Sequence, residues 1–310
     1  MQIKILGAAA GGGFPQWNCN GINSAAVRAK KSGFRPRTQS SLAISSNGND
    51  WILLNASPDL RQQINDNSEL WPPVEGPLRN SPIKAVILTN ADVDHIAGLI
   101  NLREMQAYNI YGSDRVLETL NANSIFNILN PEFVTRHPIP LGTSFDVKGP
   151  DGNLGINIEA FAVPGKVALY LEKKGTEPGF GTKEGDTIGL KVSEPSTGNY
   201  FYYVPGCAEV DDDLATRVKN APLILFDGTL FTDDEMLKQG LMPKTGKRMG
   251  HISISGPDGS IEAFKPLNVA QKIYVHINNS NPVLDENSPE RKVTEQAGWT
   301  VGYDGMEITL

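Results

Sequence analysis

Two carboxylates and an imidazole lie close together directly after the apolar segment Ala85–Thr89 (AVILT). The chain continues as NADVDH over residues 90–95, and Asp92 and Asp94 can point the same way if this turn is extended. Hard carboxylate oxygens together with an imidazole nitrogen suit Fe(II), Mn(II) or Zn(II). An aspartate here can instead cap the helix that follows. The spacing alone leaves both interpretations open.

The supply of further metal ligands is small. The four histidines are His95, His137, His251 and His276. His137 stands between an arginine and a proline in a predicted loop, and we treat it as incidental. The two cysteines, Cys19 and Cys207, exclude a disulfide scaffold, and nothing in the chain requires an oxidising compartment.

Short apolar segments rich in Val, Ile, Tyr and Phe predict the strands that must position these residues. The predicted strands are Gln2–Leu6, Trp51–Leu54, Ala85–Thr89, Ile156–Val163, Val167–Glu172, Tyr200–Val204, Leu223–Phe226, Ile273–Ile277 and Glu307–Leu310. Functional groups in α/β sheets gather where strands end, so the polar residues that end these segments are the candidates for a site.

Helix signals lie between the strands. The predicted helices run from Ser57 to about Ile64, from Asp94 to about Tyr108, from Asp114 to about Leu129, from the capping box Thr232–Glu235, and from Ser288 to Gly298. The irregular order of strands and helices is not that of a doubly wound sheet or a (β/α)8 barrel. It favours two packed mixed sheets with helices outside.

The composition excludes several classes of protein. The formal charge of −7 argues against the basic surface that nucleic-acid binding needs. No segment approaches the ~20 apolar residues of a membrane span, and the N-terminal segment does not predict a secretory signal. We therefore expect a cytoplasmic protein that binds no nucleic acid.

The segment 89–98 resembles the T-H-x-H-x-D-H-x-x-G signature of the metallo-β-lactamase superfamily. Four of its residues match the signature: Thr89, Asp94, His95 and Gly98. Asn90 and Asp92 replace the two leading metal-binding histidines of the superfamily. Asn90 is a poor metal ligand, and we expect it to form hydrogen bonds instead.

Longer segments resemble one branch, the family of coenzyme pyrroloquinoline quinone (PQQ) synthesis protein B. They are residues 7–20, 37–45, 55–64, 89–104, 226–236, 244–256 and 276–291. The resemblance implies an α/β fold, an αββα four-layer sandwich, formed by a single domain over residues 1–310.

The resemblance also implies a function in PQQ biosynthesis. Members are described as iron- and O2-dependent hydroxylases that act on the tyrosine-derived ring of a crosslinked Glu–Tyr intermediate. Two alternatives are transport of PQQ or a precursor to the periplasm, and metal-dependent hydrolysis as elsewhere in the superfamily. The implied partners are a small-molecule or dipeptide substrate and other PQQ-synthesis proteins; the oligomeric state is left open, with a dimer as one option.

The ligands implied by the resemblance are Asp94, His95 and His276, which form the 2-His-1-carboxylate set of non-haem Fe(II) oxygenases. Asp92 is either a fourth ligand or a residue that only shapes the site. We expect one Fe(II) ion, which Zn or Mn can replace in crystals. The first metal site of the superfamily has lost most of its ligands, because Lys166 stands where a histidine is usual, and Gly206 or Cys207 where the bridging aspartate is usual.

Other residues carried over from the resemblance concern substrate and protons. Lys166, Arg248 and Arg103 are candidates to bind substrate carboxylates, although each can also be a solvated surface charge. His251 is the candidate for proton transfer, with metal ligation as a second option. Asp227, at a strand end, supports a ligand, accepts protons, or only forms a turn.

Cys19 begins what is a three-cysteine zinc motif, W-N-C-x-C-x-x-C, in the resembling family. Gly21 and Ser24 replace the second and third cysteines here. Structural zinc normally needs four N or S ligands, so we predict that structural zinc is absent at Cys19. Two aromatic residues near the site, Trp17 and Tyr203, can stack on an aromatic substrate or belong to the core.

Overall fold

The computed structural model describes residues 1–166, 168–171 and 184–310. Their strands are β1 (Gln2–Gly7), β2 (Ser41–Ser45), β3 (Trp51–Leu54), β4 (Ile83–Ile87), β5 (Tyr108–Gly112), β6 (Val134–Pro138), β7 (Ser144–Gly149), β8 (Gly152–Ala162), β9 (Ile188–Glu194), β10 (Asn199–Val204), β11 (Leu223–Asp227), β12 (Gln271–Val275), β13 (Trp299–Val301) and β14 (Met306–Thr309). The α-helices are α1 (Ile22–Arg28), α2 (Leu60–Asp66), α3 (Val93–Ile96), α4 (Asp114–Ala122), α5 (Asp212–Val218), α6 (Glu235–Lys238), α7 (Ser260–Phe264) and α8 (Pro289–Gln296). None of these helices combines the length and apolar character that a membrane span requires.

The strands form two seven-stranded mixed sheets. The first has the order β14-β1-β2-β3-β4-β5-β6, and the second has the order β13-β12-β11-β10-β9-β8-β7. Strands β3 to β6 are parallel to one another, as are β10 to β13, whereas the remaining neighbours are antiparallel. Each sheet therefore has a parallel half whose carboxyl ends share one edge.

Three apolar layers hold the sheets and helices together. Leu223 and Leu225 of β11 face the core between the two sheets, whereas Ile224 and Phe226 face the layer under α5 and α7. The first sheet uses the same alternation, with its outer face covered by α2 and α4. Alternating apolar strands buried on both faces are what a four-layer sandwich requires, and the αββα fold class is confirmed.

Most predicted elements are present. Trp51–Leu54 forms a strand with the predicted bounds, and the other predicted strands overlap observed ones, apart from Val167–Glu172. The helix at Ser288 is confirmed: the Ser288 hydroxyl accepts from the N–H of Arg291 at 3.0 Å, and the helix ends before Gly298. At the predicted capping box, the Glu235 carboxylate accepts from the N–H groups of Phe231 and Thr232, but the helix begins only at Glu235.

The predicted strand Val167–Glu172 is wrong where the structure describes it. Residues Leu169–Leu171 form a 3-10 turn, and residues 167 and 172 lie outside the described chain. Both edges of β8 are already paired, with β7 and β9, so a further strand has no free edge to join. The hydroxyl of Tyr170 instead donates to the carbonyl of Ala91 at 2.8 Å, beside the candidate site.

Two predicted helices are too long. The first continues past α3 only as a 3-10 helix, Ala97–Leu102, because Gly98 lies directly against the backbone of Ser57, and Tyr108 already belongs to β5. The second ends at Ala122 because Asn123 is extended, and a separate 3-10 helix, Ser124–Ile128, follows it.

Candidate metal centre

Two bridges between the sheets bring the loops after β4 and β12 to one edge. Asn90, beyond β4, pairs with Thr187, which precedes β9. Ala9, beyond β1, pairs with Ile277, which follows β12. These contacts join segments far apart in sequence, so the predicted ligands of the two sheets face a common space.

Asp92 occupies the N-cap position of α3, but its side chain forms no capping hydrogen bond. Its backbone carbonyl accepts instead from the N–H groups of His95 at 2.9 Å and Ile96 at 3.2 Å. The structural interpretation of Asp92 as a helix-capping side chain is therefore wrong. Its carboxylate lines the cavity over the site.

His95 is held through one ring nitrogen and leaves the other without a partner. Its Nδ1 lies 2.6 Å from Oδ1 of Asn90, which also accepts from the N–H of Asp92 at 2.9 Å. Because this amide oxygen can only accept, Nδ1 carries the proton and Nε2 keeps its lone pair. That Nε2 is buried and has no hydrogen-bond partner among the described residues. A buried lone pair without a donor fits a metal ligand.

Asp94 and His276 complete the group. His276 follows β12 with a left-handed backbone (φ 56°), and its Nε2 lies 3.0 Å from Oδ2 of Asp94. One ligand atom from each of Asp94, His95 and His276 lies within 4.8 Å of the other two. Two imidazoles and one carboxylate on one side of a cavity match the donor set of a metal with open positions.

The electrostatics of the group also suit a cation. Burial alone raises the pKa of Asp94, but the nearby His95 and His276 outweigh burial and hold this pKa well below its usual range. Burial lowers the pKa of His95. Burial also lowers the pKa of His276, yet the Asp94 carboxylate outweighs it and raises this pKa above its usual value. An ionised aspartate and a neutral His95 are in the protonation states that metal ligation requires.

A second group of potential ligands consists of Asp227, His251 and His276. The hydroxyl of Thr229 lies between these three side chains. Oγ1 of Thr229 lies 2.6 Å from Oδ1 of Asp227, 2.8 Å from Nδ1 of His276 and 3.1 Å from Nδ1 of His251. These are hydrogen-bond distances, so the group already satisfies itself without an ion.

The buried Asp227 pairs with the half-buried His251. Oδ2 of Asp227 lies 2.6 Å from Nδ1 of His251 and accepts from the N–H of Cys207 at 2.9 Å. Burial raises the pKa of Asp227, but His251 outweighs it and the pKa is lowered overall. Since the ionised carboxylate only accepts, Nδ1 of His251 donates to it and Nε2 is left to exchange a proton.

A cavity of about 530 Å³ opens over these residues. Lys166 and Asp92 line it, with Nζ and Oδ2 4.0 Å apart. The apolar part of the remaining lining includes Met236, Leu241, Met242 and Met249. Gln16 and Asn279 contribute side-chain amides. The volume lies within the ~300–1,000 Å³ typical of small-molecule sites.

The two predicted arginines differ in their relation to this cavity. Arg248 belongs to the 3-10 turn Lys247–Met249, which contributes Met249 to the lining. Arg103 donates to the carbonyl of Ile100 and pairs with Glu104, and it is not among the described residues that line the cavity.

Two of the remaining candidates are structural or exposed. Tyr203 is fully buried between the sheets, where its hydroxyl accepts from the Asn55 amide at 3.3 Å. Trp17 is 85% exposed.

His137 lies in β6 and stacks on Tyr111 with ring centroids 5.0 Å apart, outside the site. Cys19 lines the cavity, and the absence of structural zinc there stays a prediction.

Thr229, Met236, Leu241 and Met242 also belong to the site, although no sequence pattern predicted them. Thr229 could have been predicted, because it follows Asp227 by two residues beyond a strand end and an extended chain points both side chains the same way. The methionines and the leucine carry no local signal, since only the fold brings residues 236–242 to the cavity that the candidate ligands line.

Comparison with known proteins shows the family to which the chain belongs. The family model of the beta-lactamase superfamily domain matches residues 50–277. The coenzyme PQQ synthesis protein B of Bradyrhizobium diazoefficiens is 49% identical over 311 residues, and that of Rhodopseudomonas palustris strain BisB5 is 50% identical over 311 residues; each match covers 100% of both chains.

A crystal structure of Zn(2+)-bound PqqB from Methylobacterium extorquens superimposes with a TM-score of 0.94 at 45% identity, and covers 100% of both chains. A diphosphatase from the PhnP family shares the fold, with a TM-score of 0.68 at 15% identity over 100% of this chain and 97% of that one. The chain therefore belongs to the metallo-β-lactamase superfamily and, within it, to the family of coenzyme PQQ synthesis protein B.

Proposed function

We propose that the protein acts in PQQ biosynthesis as an iron- and O2-dependent hydroxylase of the tyrosine-derived ring of a Glu–Tyr intermediate. The observation that carries the proposal is the buried Nε2 of His95, which lies beside Asp94 and His276 and has no hydrogen-bond partner in the described part of the chain. The full-length similarity to coenzyme PQQ synthesis protein B supports the pathway. The 2-His-1-carboxylate set supports iron and dioxygen chemistry.

Asp94, His95 and His276 are the residues that would hold the metal, with Asp92 as a fourth ligand or a shaping residue. The Zn(2+)-bound relative supports a divalent ion at such a site, whereas the choice of Fe(II) rests on the donor set. When bound, Fe(II) supplies activation of O2 at its open positions. Asn90 holds the His95 ring through Nδ1, which keeps Nε2 directed at the ion.

The protein's own side chains would bind the substrate and move protons. Lys166 lies in the cavity wall, where its ammonium group can pair with a substrate carboxylate. Arg248 precedes the lining residue Met249 in the chain and is a second candidate for that role. His251, held by Asp227 through Nδ1, would exchange a proton with the ring hydroxyl through Nε2.

The overall reaction inserts one oxygen atom of O2 into a ring C–H bond and reduces the other to water. This balance consumes two electrons and two protons, and a small external reductant of the ascorbate class supplies the electrons. The apolar lining around Met236 and Met249 suits an aromatic ring. The cytoplasmic location, the single domain and the oligomeric state stay predictions.

Anaerobic loading with Fe(II), followed by a tyrosine or Glu–Tyr substrate, ascorbate and isotopically labelled O2, tests the proposal. We expect a product heavier by one labelled oxygen atom, detected by mass spectrometry. Protein loaded with redox-inactive Zn(II) is the control and should give no product. If the Fe(II) protein binds its metal but yields no oxygenated product from either substrate, the hydroxylase proposal is wrong.

The transport alternative makes a different prediction. A carrier would bind PQQ or its precursor without a metal, and its affinity would not depend on Asp94. Binding measured by fluorescence with the metal-free protein and with Asp94→Ala separates the two functions.

A further inference from the structure

Thr229 lies at the centre of the site and has no role in the function proposed above. The residue is 4% exposed and stands in the loop after β11. Its hydroxyl oxygen lies 2.6 Å from Oδ1 of Asp227 and 2.8 Å from Nδ1 of His276. Its backbone N–H donates to the same Asp227 oxygen at 3.0 Å, which fixes the loop to the carboxylate.

The direction of these hydrogen bonds follows from Asp227. This fully buried carboxyl group is surrounded by donors, namely the N–H groups of Cys207 and Thr229 and the ring of His251. A carboxylate among several donors accepts from all of them. The Thr229 hydroxyl therefore donates its single proton to Oδ1 of Asp227, and its oxygen is left to accept from Nδ1–H of His276.

A competing acceptor for the Thr229 proton is the backbone carbonyl of His276, 2.9 Å from Oγ1. That carbonyl is neutral and farther away than the Asp227 carboxylate, and hydrogen bonds to charged groups are the stronger ones. The carboxylate therefore keeps the proton, and the contact with the carbonyl only restricts the rotation of the hydroxyl.

The same arrangement holds the other imidazole of the triad. Nδ1 of His95 lies against an amide oxygen of Asn90, which leaves Nε2 directed at the cation position. For His276, the hydroxyl of Thr229 stands in the place of that amide oxygen. Nε2 lies 3.0 Å from Oδ2 of Asp94, where a bound cation would take the place of the proton that these two atoms share. Both imidazoles thus have an acceptor at Nδ1, as is usual for metal-binding histidines.

We propose that Thr229 is a positioning residue for the metal centre, which fixes the ring of His276 with its proton on Nδ1 and its Nε2 lone pair directed at the metal. The inference rests on the metal centre of the proposed function but not on the hydroxylation reaction. Loss of such a partner typically weakens metal binding about 10- to 100-fold.

The first test compares Thr229→Val, which keeps the shape but removes the hydroxyl, with Thr229→Ser, which keeps the hydroxyl. The matched control is Thr119→Val in α4, where the buried hydroxyl donates to the carbonyl of Arg115 at 3.0 Å. Affinities for Fe(II) and Co(II) are measured by competition with a chelator, and the melting temperature of each metal-free protein is recorded.

We expect Thr229→Val to bind both metals at least about tenfold more weakly, with Thr229→Ser and Thr119→Val within about threefold of the wild type. Wild-type affinity in Thr229→Val, or an equal loss in Thr229→Ser, would overturn the inference. If the wild type itself binds neither metal, the metal centre of the proposed function fails as well. If it binds both but forms no hydroxylated product, only the proposed reaction fails.

A second measurement uses the retained His95 signal to show that the metal centre of the variant is folded. In the Co(II)-loaded protein, the Nδ1–H protons of His95 and His276 should give two paramagnetically shifted signals that exchange slowly with water. In Thr229→Val, we expect the His276 signal to be lost and the His95 signal to remain as an internal reference. Only one slow signal in the wild type, retained in Thr229→Val, would overturn the inference.

Discussion

Replacement of Gly98 by alanine should destabilise the fold and weaken the proposed metal centre. A Cβ at this position would lie 2.1 Å from the carbonyl oxygen of Ser57 and 2.8 Å from the carbonyl carbon of Ala56. Both atoms belong to the backbone, so no side chain can rotate away. The Ala56 segment also holds the ligand helix, because its N–H donates to the carbonyl of His95 at 2.7 Å and its carbonyl accepts from Gly98 at 2.9 Å.

The magnitude follows from this contact. Overpacking typically costs 1–3 kcal/mol, and a clash with rigid backbone belongs at the upper end, so we expect a loss of about 3 kcal/mol in the free energy of unfolding. With an unfolding entropy of roughly 2 cal/mol/K per residue, a chain of 310 residues should melt about 5 °C lower. Separation of the two segments shifts His95, so the affinity for Fe(II) should fall as well.

Calorimetry and chelator competition on Gly98→Ala measure the two effects. Gly21→Ala is the matched control, because Gly21 has an ordinary backbone conformation and its added Cβ would meet only the side chains of Cys19 and Leu241, at 3.3 Å or more. The control should change stability by less than about 1 kcal/mol. A melting temperature of Gly98→Ala within 1 °C of the wild type, with unchanged metal affinity, would refute the reasoning.

Three further outcomes are expected. Burial raises the pKa of Glu235 to about 7, so its contribution to stability is fully present below about pH 4.5 and is lost as the pH rises through 7. Relative to Glu235→Gln, the wild type should lose roughly 3 kcal/mol of unfolding free energy between pH 4.5 and 8, as measured by denaturant titration; parallel profiles would contradict this assignment. Lys166→Met should raise KM for a carboxylate-bearing substrate about tenfold with kcat little changed, and a fall in kcat alone would argue against a binding role. Asp227→Asn should lower kcat about 100-fold or more and alter the pH profile of kcat, whereas an unchanged profile would exclude His251 as the proton-transfer group.

Local patterns in the sequence predicted eight of the fourteen strands in the described part of the chain, and the first half of the site. The uninterrupted apolar segment Leu223–Phe226 predicts a strand that is buried on both faces. Asp94 and His95 are adjacent in sequence, so a strand followed by a turn is enough to place them together. The long-helix predictions failed because Gly98 meets the backbone of Ser57, a contact between segments that no local pattern reveals.

The sequence by itself determined the layered α/β fold, the Asp94–His95 pair and the shortage of histidines for a two-metal centre. Only the tertiary structure decided which atoms meet: the His276 ring against Asp94, the Asp227 carboxylate against His251, and the Thr229 hydroxyl between them. The apolar pattern of a strand indicates which of its faces is buried. This information does not depend on the register of the strand or on its place in the sheet. Hydrogen-bond geometry changes with shifts of a few tenths of an ångström between segments up to 182 residues apart. Strand pairing within the second sheet and packing between the two sheets set these distances.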